Sequence, residues 1–317
     1  MTLLQRRAHN LLALSHRPST TANYTAQFKV FLSLAVFLDI NDLQDINYIQ
    51  CFMTFLYDNG LTAKTIATYV SAIKFSFLYY GLDHNVVQHP SITLLLRSFT
   101  INAPLKIRKQ GIIDIHLLKK IIIACGVLPF SSMYRALFLL AFFSFCRISN
   151  FAPVSAGKFD GMFQFIRNDI VWGEPGAHLI VKWAKNMQDR TSHQVIRIPL
   201  LSNKLLCPIL ALQTYFARYP ALSKDPMFIN PANSAPLIQS VIRSALDKVL
   251  EKLSIPKGYI TFHSFRRSGA TYAFNHHIPL ENIQAHGGWR SQAVWAYLKQ
   301  AGAAGNRIAL GFQHNIH

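Results

Sequence analysis

A change of hydrophobic period between Met162 and Leu200 bounds what this chain can fold into. Three short runs there, MFQFIRNDIVW, AHLIVKWA and HQVIRIPL, are rich in β-branched and aromatic residues and read as strands. The first two are separated by GEPG, a strong turn signal, so the three runs make a small antiparallel sheet. On both sides of this window the apolar residues recur at helical spacing. The expected class is mainly α with a small antiparallel β-sheet.

The helical reading is clearest over the first hundred residues. TTANYTAQFKVFLSLAVFLDI keeps a helical spacing and stops before Asn41 and Asp42. LQDINYIQCFMTFLYDNG follows, with Gly60 suited to its C-terminus. LTAKTIATYVSAIKFSFLYYG opens on Thr62, a side-chain N-cap, and closes at Gly81. SITLLLRSFT adds a shorter helix after Pro90. Four helices on short loops make a small bundle over residues 1–103. A linker over 104–111 then breaks the period and carries Lys106, Arg108 and Lys109; it either lies along a phosphate backbone or is a solvated connection. Helices DIHLLKKIIIACG and SMYRALFLLAFFSFCR precede the sheet, and helices return from CPILALQTYFARYP onward. This second unit spans 112–300, ahead of a Gly- and Ala-rich tail, 301–317. No internal repeat is evident.

Charge narrows the partner. Only 15% of the 317 residues are charged, yet the formal net charge is +18. Residues 1–105 hold 7 Lys and Arg against 5 Asp and Glu; residues 106–317 hold the other 25 against 9. A solvated surface tolerates either sign, so a bias this strong points to a polyanion, of which nucleic acid is the commonest.

Other classes recede. Cys51, Cys125, Cys146 and Cys207 lie far apart with no CxxC pair, and three sit in apolar runs, as buried reduced thiols do. No zinc site is implied. The start, MTLLQRRAHNLLALSHRPS, has no sustained apolar segment with a cleavage site. The longest apolar run, ALFLLAFFSFC at 136–146, is too short for a membrane span and reads as a buried helix. The expectation is a soluble intracellular protein without a membrane partner.

The chemistry gathers in ITFHSFRRSGATYAF, residues 260–274. On a helix His263 and Arg266, three apart, share a face. A site that cleaves a phosphodiester without metal needs cations on the non-bridging oxygens, a nucleophile and a proton donor for the departing oxygen. The 14 carboxylates are scattered, with no DxD grouping that would hold Mg²⁺, so a metal-dependent nuclease is disfavoured.

The C-terminal two-thirds resembles the catalytic domain of the tyrosine recombinases, whose signature runs Arg, Lys, His-x-x-Arg, His or Trp, Tyr. On that resemblance Arg147 in SFCRISNFAPVS is the first Arg, and Lys185 in VKWAKNMQ is the Lys on the turn between the second and third strands. His263 and Arg266 in HSFRR are the His-x-x-Arg pair; in QAHGGWRSQAVWAYLKQ, Trp289 takes the His/Trp position and Tyr297 the nucleophile's. His-x-x-Arg alone occurs by chance in many proteins. The order, the bundle ahead of the catalytic unit, the strand-borne Lys and the Trp-to-Tyr spacing carry the resemblance together. The wording of RISN, KWAKNMQ, LCPILAL, HSFRRSGAT and HGGWRSQAVWAYL is closest to recombinases of eukaryotic DIRS, Ngaro and Crypton elements.

The resemblance implies a SAM-like core-binding bundle that clamps DNA, followed by an α+β catalytic domain. It implies a site-specific recombinase that forms a 3′-phosphotyrosyl bond without metal, nucleotide or other cofactor, on double-stranded DNA, as a synaptic tetramer and a monomer when free. Arg147 and Arg266 would grip the non-bridging oxygens, Lys185 protonate the leaving oxygen, His263 help accept the tyrosyl proton, and Trp289 hold the phosphate through its indole N–H. Lys64, Thr65, Thr68, Ser71 and Lys74 are candidates for groove contact or a solvated helix face. Arg267 is a DNA-backbone contact or a structural salt bridge, the former being favoured.

Asn150 stands where many members carry an acid that orients the first Arg; its side-chain carbonyl can still accept from a guanidinium. His276, His277 and His286 read as surface or capping residues rather than metal ligands. A catalytically silent DNA-binding protein is the alternative outside the enzymes. A type IB topoisomerase is the alternative within them. Nuclear action follows if the mobile-element resemblance holds.

Overall fold

A computed structural model of the chain describes residues 4, 7, 10–12, 14–104, 111–183, 193–289 and 294–298, the last without the side chains of Ala296 and Tyr297. The chain divides into two compact units, Met1–Ile107 and Arg108–His317. The linker cations Lys106, Arg108 and Lys109, the hairpin Lys185 and the tail after Leu298 lie outside the described residues.

The first unit is built from α1 (Pro18–Phe37), α2 (Ile46–Asp58), α3 (Ala63–Tyr80) and α4 (Pro90–Ile101). Pro18 and Pro90 open their helices where a missing N–H costs nothing. Asp45 and Thr62 accept the first backbone donors of α2 and α3. Gly81 ends α3 in the left-handed region, φ +73°, which favours glycine. Phe31, Ile49, Phe52, Met53, Ile66 and Phe77 form the centre of its core. The outer side of α3 presents Lys64, Thr65, Thr68 and Ser71 to solvent, with Lys74 half-buried.

The second unit begins with α5 (Ile115–Ala124) and α6 (Ser131–Ser144). Helix α6 holds the long apolar run and is buried nearly all round, with Leu137, Phe138, Leu139 and Leu140 at no exposure. It is followed by the single-turn α7 (Ile148–Phe151). Strands β1 (Ile170–Gly173), β2 (Gly176–Val181) and β3 (Gln194–Pro199) pair antiparallel in the order β1-β2-β3. Helices α8 (Pro208–Arg218), α9 (Gln239–Lys252), α10 (Phe262–Asn275), α11 (Leu280–Gly287) and the short α12 (Trp295–Leu298) complete it. No described helix is long and apolar enough to cross a membrane.

One expectation needs correcting. Met162–Asp169 is not strand; β1 begins only at Ile170. Side chains take the backbone donors that a ladder would use: Asp160 Oδ1 accepts from Met162 N at 2.8 Å, and Asp169 Oδ2 accepts from Ile166 N at 2.8 Å. Asp turns of this kind compete with strand pairing, and the apolar alternation of MFQFI hides them.

Two close approaches set up the site. A Cβ on Gly269 of α10 would stand 2.1 Å from the Phe142 carbonyl and 2.5 Å from the Phe145 ring, so the two helices touch there as they could around no other residue. Phe145 itself ends α6 in the left-handed region, φ +53°. The chain thus leaves α6 beside α10 with Cys146 and Arg147 facing the start of a new turn.

Candidate functional site

Arg147 precedes α7, and Asn150 fixes its backbone. Asn150 Oδ1 accepts from Arg147 N at 3.1 Å, while Nδ2 donates to Trp183 O at 3.3 Å, just past β2. The buried amide therefore ties the arginine's backbone to the hairpin. The sequence had it accepting from the guanidinium; its oxygen is spent on the main chain instead.

Helix α10 opens on Thr261, whose N–H donates to Ser264 Oγ at 3.1 Å. This places His263 in the first turn and Arg266 one turn on. His263 is exposed, whereas Arg266 is 2% exposed. Partial desolvation, then the positive charges of Arg266, Arg147 and Arg267, push the His263 imidazole down to about 4. It is neutral at pH 7 and able to take a proton. A cavity of about 440 Å³ opens beside it, bordered by Arg243 and by Lys257, which pairs with Asp247 at 3.7 Å.

Arg266 lies where α6, α10 and α11 converge. Its Nη1 donates to the Phe145 carbonyl and its Nη2 to Gly287 O at 2.8 Å. Its guanidinium carbon stands 4.0 Å from the centroid of the Trp289 ring, a cation–π contact in a desolvated place. Trp289 is 7% exposed and packs with Phe145, Ala270, Phe274, Ile283, Val294 and Leu298, the last two flanking Tyr297 in sequence. The indole thus joins the arginine to helix α12. Tyr297 sits within α12, but its side chain lies outside the described residues, as does Lys185.

Three sequence readings change or sharpen. Arg267 is not an exposed contact: it is 3% exposed and donates from Nη2 to Gly111 O at 2.6 Å. Beside it Ser268 Oγ accepts from Ile113 N at 2.7 Å, so the pair anchors the start of the second unit. His286 is half-buried, donating from Nε2 to Phe143 O at 2.8 Å and meeting the Phe145 ring edge-on; desolvation lowers its pKa, and the charge of Arg266 adds to this. His276 caps α10 and donates to Tyr272 O at 2.8 Å. Of the two hairpin lysines, Lys182 is committed to Asp169 at 2.8 Å with both side chains largely buried. The sequence did not single out that pair, nor Gln194 at the head of β3. A lone Gln in a strand run carries no signal of its own.

Arg147, His263, Arg266 and Trp289 thus come together from three separate segments. Two guanidiniums whose charges both act on a neutral imidazole suit an anionic phosphodiester, and no described group of three His, Cys, Asp or Glu is placed to hold a metal ion. On α3, Lys64 is exposed and Lys74 half-buried; Thr68 is already bonded to Gln27 and to the Thr65 carbonyl.

No protein-family model and no curated protein matches the sequence. Solved structures do. A lambda integrase dimer bound to a COC′ core site is similar at 18% identity with a TM-score of 0.60, over 94% of this chain and 77% of that one. XerH site-specific recombinase bound to a palindromic difH substrate, in a post-cleavage complex, is similar at 15% identity and 0.58, over 94% and 80%. A lambda integrase tetramer bound to a Holliday junction is similar at 18% identity and 0.56, over 90% and 76%. At these identities the likeness establishes architecture: a mostly helical chain with a small antiparallel sheet, matching the tyrosine-recombinase fold.

Proposed function

We propose that this chain is a site-specific DNA recombinase that cuts and rejoins duplex DNA through a 3′-phosphotyrosyl intermediate. The observation that carries the reading is the convergence of Arg147, His263, Arg266 and Trp289 next to the helix that bears Tyr297, in a fold shared with integrases solved on DNA.

In the proposed reaction the Tyr297 hydroxyl attacks the scissile phosphorus. A bond forms between the tyrosyl oxygen and phosphorus, and the bond from phosphorus to the 5′-oxygen breaks. His263, neutral at pH 7, accepts the tyrosyl proton. Lys185 gives a proton to the departing 5′-oxygen, which a guanidinium cannot do. Arg147 and Arg266 hold the non-bridging oxygens as charge grows on them, Arg266 from a setting fixed by two carbonyls and the Trp289 face. A 5′-hydroxyl from a second duplex then reverses the step. The phosphodiester energy stays in the protein–DNA bond, so neither metal nor nucleotide enters.

The partner is double-stranded DNA, and the likeness to a DNA-bound dimer and tetramer supports a synaptic tetramer on DNA from a free monomer. The first unit serves as the clamp over the other side of the duplex, with the 104–111 cations along its backbone. The phrasing around HSFRRSGAT and HGGWRSQAVWAYL favours the recombinases of eukaryotic DIRS, Ngaro and Crypton elements, and with them action in a nucleus.

Incubation with fragmented DNA of the source genome, in EDTA, followed by a detergent quench, tests this. A covalent adduct is expected that vanishes in Tyr297→Phe, and the trapped DNA gives the site. Binding without an adduct, in EDTA or Mg²⁺ alike, would leave a DNA-binding protein that does not cut.

A further inference from the structure

Gln194 opens β3, outside the six positions of the signature, yet it reaches the turn on which the site closes. Its Nε2 donates to Ala285 O at 2.6 Å and to His286 O at 2.8 Å. These belong to the last turn of α11, where intrahelical donors run out; Ala285 O also accepts from the capping Gly288 N–H at 3.1 Å. The next carbonyl along, Gly287 O, accepts from Arg266 Nη2 at 2.8 Å. A Cβ on Gly288, which is left-handed at φ +63°, would stand 2.8 Å from Gln194 Oε1. A Cβ on Gly287 would stand 1.7 Å from the Trp289 ring. The paired glycines of HGGW are thus the imprint of two side chains, Gln194 and Trp289, closed on one turn.

The geometry points to Gln194 as a positioning residue for Arg266. It fixes the α11 turn whose Gly287 carbonyl holds the guanidinium, and so ties the sheet to the arginine that grips the phosphate. The inference rests on the reaction proposed above. Without the donor, Ala285 O and His286 O lose their partner across the gap, and the turn is held only by its own cap, Gly288 N to Ala285 O and Trp289 N to Gln284 O, and is easier to shift. A displacement of about 1 Å at a group that orients a reacting centre costs on the order of 10²-fold in rate.

A structural role alone would weaken every substrate equally, so the test separates charge from fold. The duplex recovered by trapping is synthesised with either a normal scissile phosphate or a methylphosphonate, in which a methyl group replaces one non-bridging oxygen and removes the charge. Single-turnover strand cleavage is read for wild type, Gln194→Ala and Gln194→Met. The Met variant keeps the length and loses the donor without adding charge, so it serves if the Ala variant does not fold. The expected result is a loss of about 10²-fold on the phosphodiester and less than about 3-fold on the methylphosphonate, relative to wild type on each, with Arg266→Ala giving the same pattern. Equal losses on both substrates, or none on either, overturn the positioning role. A wild-type chain that cleaves neither duplex overturns the reaction itself, and the inference with it.

Discussion

At the scale of single residues, the two adjacent arginines of HSFRR show what a sequence does and does not carry. Their roles cannot be told apart by type. One step round a helix turns Arg266 toward the ends of α6 and α11, and Arg267 toward Gly111. Arg267 looked like a DNA contact because arginine is seldom buried, and no local pattern announces a carbonyl 156 positions upstream. His263, in contrast, was singled out by its spacing from Arg266 together with the resemblance, and its environment makes a testable claim. Its pKa falls from the ordinary 6.5 to about 4 in the folded chain. Between those values the unfolded chain binds the extra proton and the native one does not. The stability tied to this histidine is therefore complete above about 6.5 and is lost as pH falls toward 4. His263→Gln should flatten the fall of the thermal midpoint between pH 6.5 and 4. A profile parallel to wild type would mean that neither desolvation nor the three arginines shift this ring.

At the scale of elements, helices were read well where their caps are written locally: Thr62 and Gly81 sit where the chain needs them. The β1 boundary was misread because Asp169, which stops it, sits inside an apolar-looking run, and Asp160 acts on that run from just ahead of it. What no local pattern specifies is the crossing of α6 and α10, which is decided by one missing side chain. A methyl on Gly269 has the Phe142 carbonyl and the Phe145 ring in its way, and a backbone carbonyl cannot step aside as a flexible side chain does. Gly269→Ala should cost about 1–3 kcal/mol, the usual penalty for overpacking a filled core. The urea midpoint of the second unit's transition reads it directly. Cleavage should fall by more than the loss of folded protein accounts for, because the same displacement parts Arg266 from the Phe145 carbonyl. An unchanged midpoint would show that the helices have room to separate.

At the scale of the whole molecule, the charge imbalance ranks the two units as partners for DNA. Both are basic, but residues 106–317 carry nearly all of the excess, 25 Lys and Arg against 9 Asp and Glu. A polyanion releases about 0.9 counterion per phosphate neutralised, so the slope of log affinity against log salt counts the contacts. Helix α3 offers Lys64 exposed and Lys74 half-buried, on a side otherwise made of threonine and serine. If both lysines meet phosphates, replacing them together by Ala should lower the magnitude of the slope by about 2 while most of it survives, because the second unit holds the rest. Affinity at fixed salt should weaken similarly for unrelated duplexes, since a phosphate contact positions the chain without reading its sequence. An unchanged slope would return α3 to a solvated face, and the clamp would then rest on contacts other than these two cations. A slope that collapses would place the main electrostatic grip in the first unit, against the distribution of charge along the chain. The measurement therefore bears on how the duplex is held, and it does so without depending on whether the strand is cut.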